Sequence, residues 1–592
     1  MTRSQIRAFG PLGLTLAALC VGIVAGVGAV AFRALIAFFH NLFFLGQLST
    51  VYDATVHTPA SPWGPLVILV PVIGAAGVAL LVTRFAPEAK GHGVPEVMDA
   101  IYYNEGRIRP IVALIKSLAS GLSIGTGGAV GREGPIIQIG SSFGSTLAQV
   151  LRMPVWQAVT LIGAGAGAGI AATFNTPIGG VLFSVEIMLH EVSARTLVPV
   201  AIAVATATYV GQLFFGPHPS FVIPALEHLS FRVADPRILL SYVVLGAMTG
   251  VASAVYIRSV YAVEDFFDER VHRGYYVRHM LGMLLVGILM YGCLTELGHY
   301  HIEGIGYATI QDVLSGHAVD VGLLVLLCVL KLLATSLTLG SGASGGVFSP
   351  ALYIGATLGG AYGAVLARLF PTLHASPPAF AVAGMAGLIG GSTGAAMAAI
   401  VMIFEMTLDY TVIVPMTITV ALSYGVRTAM SPNSIYTLKL VRRGHYMPEA
   451  LQTNFHQLRR AGELMDKALG SVQAATSLVD FARTAALEPT AWFLVKDGEA
   501  IVGLVSRGMA LQGFGDPASH ATVGEIALRR YATVTETTTL AEVASRLHGS
   551  GSVAALVVAG DQIVTARSVV GVISREHLGD VLSQASDLFG VP

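Results

Sequence analysis

The stretch Gly131-Arg132-Glu133-Gly134-Pro135-Ile136-Ile137-Gln138-Ile139-Gly140 sets an acid directly before a Gly-Pro pair. A glycine-rich run precedes it (Gly121, Gly125, Gly127, Gly128), and a mostly apolar helical pattern follows to Leu151. Proline in a first helical turn marks a helix start, because its missing N–H would have been an orphan there anyway. The glycines let the backbone approach whatever lies at that terminus. Free N–H groups and the positive end of the helix dipole make such a terminus an anion site. Glu133 is the one side chain in the stretch that competes with a bound anion for those N–H groups. In a soluble protein the same acid would only satisfy its own helix, so the surroundings decide its meaning.

Those surroundings are apolar. The chain has 592 residues, of which 54% are hydrophobic and 12% charged. Soluble proteins average about 25% charged residues. Mean hydropathy is +0.70. This is the composition of a polytopic membrane protein embedded in a lipid bilayer. A formal net charge of -1 gives no field for nucleic acid. The three cysteines, Cys20, Cys293 and Cys328, lie inside apolar runs and suit packing rather than disulfides or metal. The 68 glycines suit close helix packing and helices broken within the membrane.

Apolar segments run from Pro11 to Leu45, Pro65 to Val82, Pro110 to Leu151, Val155 to Leu189 and Ala194 to Phe215. They resume over Leu239 to Ala262, Met280 to Leu297, Val321 to Leu339, Ala351 to Phe370, Ala379 to Leu388 and Gly394 to Ala429. The first is too long for a signal peptide core of about 7–15 residues and reads as a tilted span. Arg3 and Arg7 place its start inside. Several others are shorter than the ~20 residues of a full span. Starting at Gly/Pro breaks, they read as helices that stop partway across, which is tolerated only against protein or a cavity.

The chain repeats itself. Gly131, Pro135, Gly140 and Gly144 correspond to Gly346, Pro350, Gly355 and Gly359, offset by 215, and Gly165 and Glu186 to Gly384 and Glu405, offset by 219. The membrane part is therefore two related halves, about 10–215 and 236–430. Interrupted segments at matching places in two halves point to a transport site at their interface.

Taken in order, these motifs resemble the CLC family of chloride channels and chloride/proton antiporters over about residues 10–440. Gly91-His92-Gly93-Val94-Pro95 stands where the family has its first anion motif. Gly131-Arg132-Glu133-Gly134-Pro135 is similar to its gating motif, and Gly346-Val347-Phe348-Ser349-Pro350 to its Gly-x-Phe-x-Pro motif. Tyr436 resembles the tyrosine whose hydroxyl binds the central anion. The resemblance implies an all-α membrane fold of two inverted half-repeats with broken and re-entrant helices, in a homodimer with one pore per subunit. It implies chloride, or another small anion, held by the backbone near Val347, Phe348 and Gly134 and by Tyr436, with His92 and Gly93 at the inner site and Glu133 as the gate. Arg132 is expected to be structural. Glu186 and Glu405, acids within apolar helices, are functional candidates by default. Their matched positions favour capping of nearby backbone.

Two departures from the family bear on function. His92 falls where chloride-selective members carry serine. Either it turns away and leaves only backbone donors, or it binds the anion and makes the inner site pH-dependent. Ile187 falls where well-known antiporters carry a proton-passing glutamate. Isoleucine carries no proton, which favours a voltage- or pH-dependent chloride channel. An antiporter with another proton path is the alternative.

Past Tyr436 the composition turns soluble, and Lys439, Arg442, Arg443, Arg459 and Arg460 place the tail inside. The expected divisions are a membrane domain over 1–446, a linker over 447–461 and a small α/β domain over 462–592. Two units, about 462–512 and 522–582, share the endings Gly503-Leu504-Val505-Ser506 and Gly571-Val572-Ile573-Ser574. They resemble a CBS-domain pair, which in other proteins binds adenine nucleotide through an aspartate three residues after that serine. Here Met509 and His577 stand there, so nucleotide binding is weakly supported and no other cofactor is implied. A nucleotide sensor with a vestigial pore is a remote reading. An enzyme would need a nucleophile elbow or a metal cluster, and the two Gly-x-Ser-x-Gly matches, at Gly140 and Gly342, lack a strand before them. The expected setting is a bacterial plasma (inner) membrane with both termini cytoplasmic.

Overall fold

In the first half of the chain, long apolar helices alternate with short ones that begin at chain breaks. The computed structural model describes residues 8–221, 223, 236–271, 274–447, 460–488, 490–512, 521–560 and 565–578. Helix α1 (Pro11–His40) starts at a proline and runs 30 residues before a π-helical turn, Asn41–Leu45, that ends at Gly46 with φ +66°. At 1.5 Å per residue it is about 45 Å long, more than the ~30 Å hydrocarbon core, and so it must tilt. Then follow α2 (Val70–Arg84), α3 (Val94–Tyr102), α4 (Ile111–Gly125), α5 (Glu133–Val150), α6 (Val155–Phe174), α7 (Pro177–Phe183), extended by a π-helical Ser184–Leu189, and α8 (Ala194–Phe215).

The second half repeats the plan. It comprises α9 (Pro236–Arg270), α10 (Tyr275–Leu297), α11 (Tyr307–Leu314), α12 (Val321–Ser341), α13 (Phe348–Leu369), α14 (Pro377–Thr393), α15 (Ala396–Thr407) and α16 (Ile413–Met430), with a closing α17 (Thr437–Arg442). Among the described residues nine helices are long and apolar enough to cross a membrane, while α4, α7 with its π extension and α15 are apolar but short. This is the mixture of full and broken helices expected from the sequence. The proline- and histidine-bearing segment 216–235 lies for the most part outside the described residues.

The repeated glycines mark helix crossings. A Cβ on Gly140 would run into the backbone of Gly165, and one on Gly355 into the backbone of Gly384. The matched positions are thus where α5 meets α6 and α13 meets α14 without side chains between them, as small residues allow in membranes.

The chain divides into two compact units, Met1–Gln452 and Thr453–Pro592, and the division falls inside the expected linker, of which residues 448–459 lie outside the described residues. The second unit holds two three-stranded sheets. In the first, β1 (Leu469–Gln473) pairs parallel with β2 (Trp492–Asp497), which pairs antiparallel with β3 (Ala500–Ser506). In the second, β4 (Ala532–Thr535), β5 (Ala554–Val558) and β6 (Val569–Ser574) do the same. A helix crosses between the parallel strands of each, Leu478–Leu487 and Leu540–Gly549. The two matching Gly-to-Ser endings close β3 and β6. Leu494 and Leu504 of the first sheet share a buried cluster with Leu556 and Val572 of the second sheet.

Candidate functional site

Glu133 opens α5 at the middle of the first unit and is fully buried. Its carboxylate does not cap its own helix. Oε2 accepts the Ser349 N–H at 3.2 Å, and Oε1 accepts the Ser349 hydroxyl at 2.5 Å and the Tyr307 hydroxyl at 2.9 Å. Ser349 lies in the first turn of α13, the helix that begins the repeated motif in the other half. A carboxyl group thus sits at the positive end of a helix from the opposite repeat, a terminus of the kind that favours anions.

The two motifs that make this seat are tied directly together. Gly131 N–H donates to Gly346 O and Gly346 N–H to Gly131 O, both at 2.7 Å. Gly131 must lack a side chain because a Cβ would collide with Glu133 Oε2. Among the described residues the Val347 and Phe348 amides beside Ser349 have no acceptor. They stand at the same helix start as Ser349. The Val347 carbonyl accepts the Tyr256 hydroxyl at 3.0 Å, which pins this corner to α9.

The inner groups fall next to the same place. Gly93 takes φ +86°, reserved in practice for glycine, and a Cβ there would meet Gly134 O and Gln138 Oε1. The His92 carbonyl lies against Gly134 in turn. His92 is buried at 4% exposure, its Nδ1 makes no hydrogen bond, and its ring stands edge-on to Tyr261 with centroids 6.1 Å apart. Lys116, Lys439 and Arg443 are its electrostatic neighbours. Tyr261 donates to Ile435 O at 2.6 Å and so fixes the turn that presents Tyr436, a buried side chain within the field of Glu133. The structure therefore gathers Glu133, Gly134, His92, Gly93, Val347, Phe348 and Tyr436 around one locus.

Ile187 behaves differently. It is buried on the π-helical turn after α7 and offers no titratable atom. Its neighbour Glu186 is committed, with Oε1 and Oε2 accepting the Met397 and Ala398 N–H groups at 3.2 and 2.8 Å.

Three residues of the site escaped the sequence reading. Tyr307 donates to the Glu133 carboxylate and carries the Arg132 guanidinium over its ring at 5.2 Å. Its signal was the unused Gly304-Ile305-Gly306 before it, a second copy of Gly91-His92-Gly93. Lys116 and Lys331, offset by 215, are both fully buried. Lys116 donates to the Ala89 and Gly91 carbonyls at 3.0 and 2.8 Å, and Lys331 to the Ile302 and Gly304 carbonyls at 2.9 and 2.8 Å. Each ammonium organises the turn before one of the two Gly-x-Gly helices.

A family profile described as voltage gated chloride channel matches residues 74–428, and a CBS-domain profile matches 523–583. The chain is a CLC-family protein. Among curated CLC proteins it is 32% identical over 441 residues to the H(+)/Cl(-) exchange transporter ClcA of Citrobacter koseri, covering 73% of this chain and 89% of that one. It is 33% identical over 418 residues to ClcA of Salmonella arizonae, covering 69% and 84%. Among solved structures it resembles a slow cyanobacterial Cl-/H+ antiporter with a TM-score of 0.63 at 26% identity, over 74% of this chain and 99% of that one. A eukaryotic CLC transporter matches in fold at 21% identity with a TM-score of 0.61, over 96% of this chain and 98% of that one. The chain is thus a multi-pass membrane protein with the CLC fold and a C-terminal α/β domain of CBS type.

Proposed function

We propose that the protein exchanges chloride for protons across the membrane, with Glu133 as both the anion gate and the proton carrier. The observation that carries this is the seat of Glu133. A fully buried carboxylate lies at the start of a helix from the opposite repeat, bound by one backbone N–H and two hydroxyls. Ionised, it occupies the place of an anion. Protonated, it loses its charge-assisted bonds, leaves the seat and frees it for chloride. One group that alternates with the anion in this way couples the two ions.

Exchange is preferred over a passive channel because the relatives at 31–33% identity carry exchanger names. The buried Ile187 then requires that protons reach Glu133 past that position through water or other groups. Tyr436 and the Val347 and Phe348 amides are the proposed donors of the central anion, all neutral, so that the ion is held without being trapped. Gly134, with His92 and Gly93, lines the inner approach.

We assign the basic side of Lys439, Arg442 and Arg443 to the cytoplasm of a bacterial inner membrane and the working unit to a homodimer, as the family resemblance implies. The C-terminal domain is read as a positional module. Met509 packs against the core of the first sheet, and His577 donates its Nε2–H to the Leu464 carbonyl at 2.8 Å, so neither offers a ribose-binding carboxylate. The test of exchange is proton uptake into liposomes against a proton gradient, driven by outward-directed chloride. Uptake that stops when the chloride gradient is removed is expected. Chloride flux that needs only a potassium ionophore and moves no protons would make the protein a channel.

A further inference from the structure

A cavity of about 150 Å³ lies at the ends of α6 and α8, lined by Tyr307 but not by Glu133. Its lining includes Arg33, Asp53, Arg132, Asn175, Gln212 and Tyr307. A water needs roughly 10–15 Å³ of such space, so the cavity has room for a small ion together with several waters.

Its donors are two guanidinium groups. Arg132 is 7% exposed and its Nε makes no hydrogen bond. Arg33 projects from the membrane helix α1 and is braced over the Phe215 ring at 4.3 Å. Among the described residues neither is in an ion pair. The neighbouring amides each commit one N–H elsewhere, Gln212 to Asn175 Oδ1 at 2.7 Å and Asn175 to His218 O at 3.2 Å. The one carboxylate of the lining, Asp53, is exposed, and its Oδ1 takes the Thr55 N–H and hydroxyl at 2.9 and 2.7 Å. Two cations against one carboxylate leave the cavity positive. Two like charges sharing such a space repel, and an anion between them removes that cost.

We propose that this cavity is a binding site for a small monovalent anion of the chloride class, held between Arg33 and Arg132 one step outside the gate. Tyr307 connects the two places. Its ring carries Arg132 and its hydroxyl holds Glu133, so an anion drawing Arg132 off the ring loosens the lock on the carboxylate. The site stages the ion that will displace Glu133, and it does so from one face of the membrane only. This rests on the reading of Glu133 as an anion gate.

The test is the chloride dependence of flux by the full chain in right-side-out and inverted membrane vesicles. In Arg33→Gln the half-saturating chloride concentration rises at least threefold in one orientation and changes less than twofold in the other. Arg33→Lys keeps most of the wild-type value. Asp53→Asn, which removes an exposed negative charge, lowers the half-saturating concentration in the orientation that Arg33→Gln raises. Equal shifts in both orientations, no shift in Arg33→Gln, or a rise in Asp53→Asn overturns the site, and Asp53→Asn decides it alone if the arginine variant does not assemble. Absence of chloride flux in the wild type would instead overturn the gate reading itself.

Discussion

Glu186 and Glu405 each serve the other half of the chain. Glu186 accepts from the first N–H groups of α15, and Glu405 accepts from Ile178 and Gly179 at the start of α7, at 2.9 and 2.7 Å. Two broken helices therefore begin inside the protein without orphaned donors, each capped by a carboxylate from its symmetry mate. Both acids cap backbone, as their matched positions in the repeat suggest.

The exchange of caps predicts the outcome of Glu405→Ala. Two N–H groups at the start of α7 lose their acceptor, at about 1–3 kcal/mol each when buried. The thermal transition of detergent-solubilised protein should fall by several degrees. The ratio of chloride to proton transported by the surviving protein should stay that of the wild type. A changed ratio with unchanged stability would put Glu405 on the transport path.

Tyr307→Phe removes one of the two hydroxyls that hold the gate. A hydrogen bond to an ionised group contributes about 1.5–3 kcal/mol, of which the nearby Ser349 hydroxyl recovers part. The seated carboxylate is weakened by roughly 1 kcal/mol, so the chloride concentration that displaces it should fall about fivefold. Chloride dependence of flux in liposomes reads this directly, and an unchanged dependence would leave Tyr307 a packing residue.

Gly131→Ala acts on the same seat from below. The new methyl collides with Glu133 Oε2 and stands 3.0 Å from the Ser349 nitrogen, where the carboxylate cannot stay. Chloride flux should rise several-fold at alkaline pH, where the wild-type gate is seated. Flux that keeps the wild-type pH profile would show that the carboxylate finds another position of equal stability.

If the C-terminal domain only positions the pore, adenine nucleotides at millimolar concentration should move the thermal transition of the full chain by less than about 1 °C. A ligand at a hundred times its dissociation constant stabilises by about 2.7 kcal/mol, so binding of useful affinity would be visible. A shift of several degrees would contradict the positional reading.

Much of this architecture was legible because the membrane restricts what a chain can do. Apolar segments too short to cross, each starting at glycine or proline, have to be broken helices packed in protein, and the constant offsets between Gly131 and Gly346 had to be a repeat. That an acid opens a broken helix could be read from Glu133 before Gly134-Pro135. Its lock could not, because a tyrosine far along the chain reaches Glu133 only through the pairing of the two repeats, which no local pattern encodes. Lys116 and Lys331 were equally hidden. A lysine in an apolar run does not reveal whether its ammonium snorkels to water or, as here, turns inward to two carbonyls.

The central claim is that one carboxylate both blocks the anion and carries the proton. The measurement that tests it most directly follows chloride and proton fluxes together in the same liposomes for the wild type and Glu133→Gln. The account predicts coupled, uphill proton movement in the wild type, and in Glu133→Gln continued chloride flux with no proton movement. Proton pumping that survives in Glu133→Gln would contradict it.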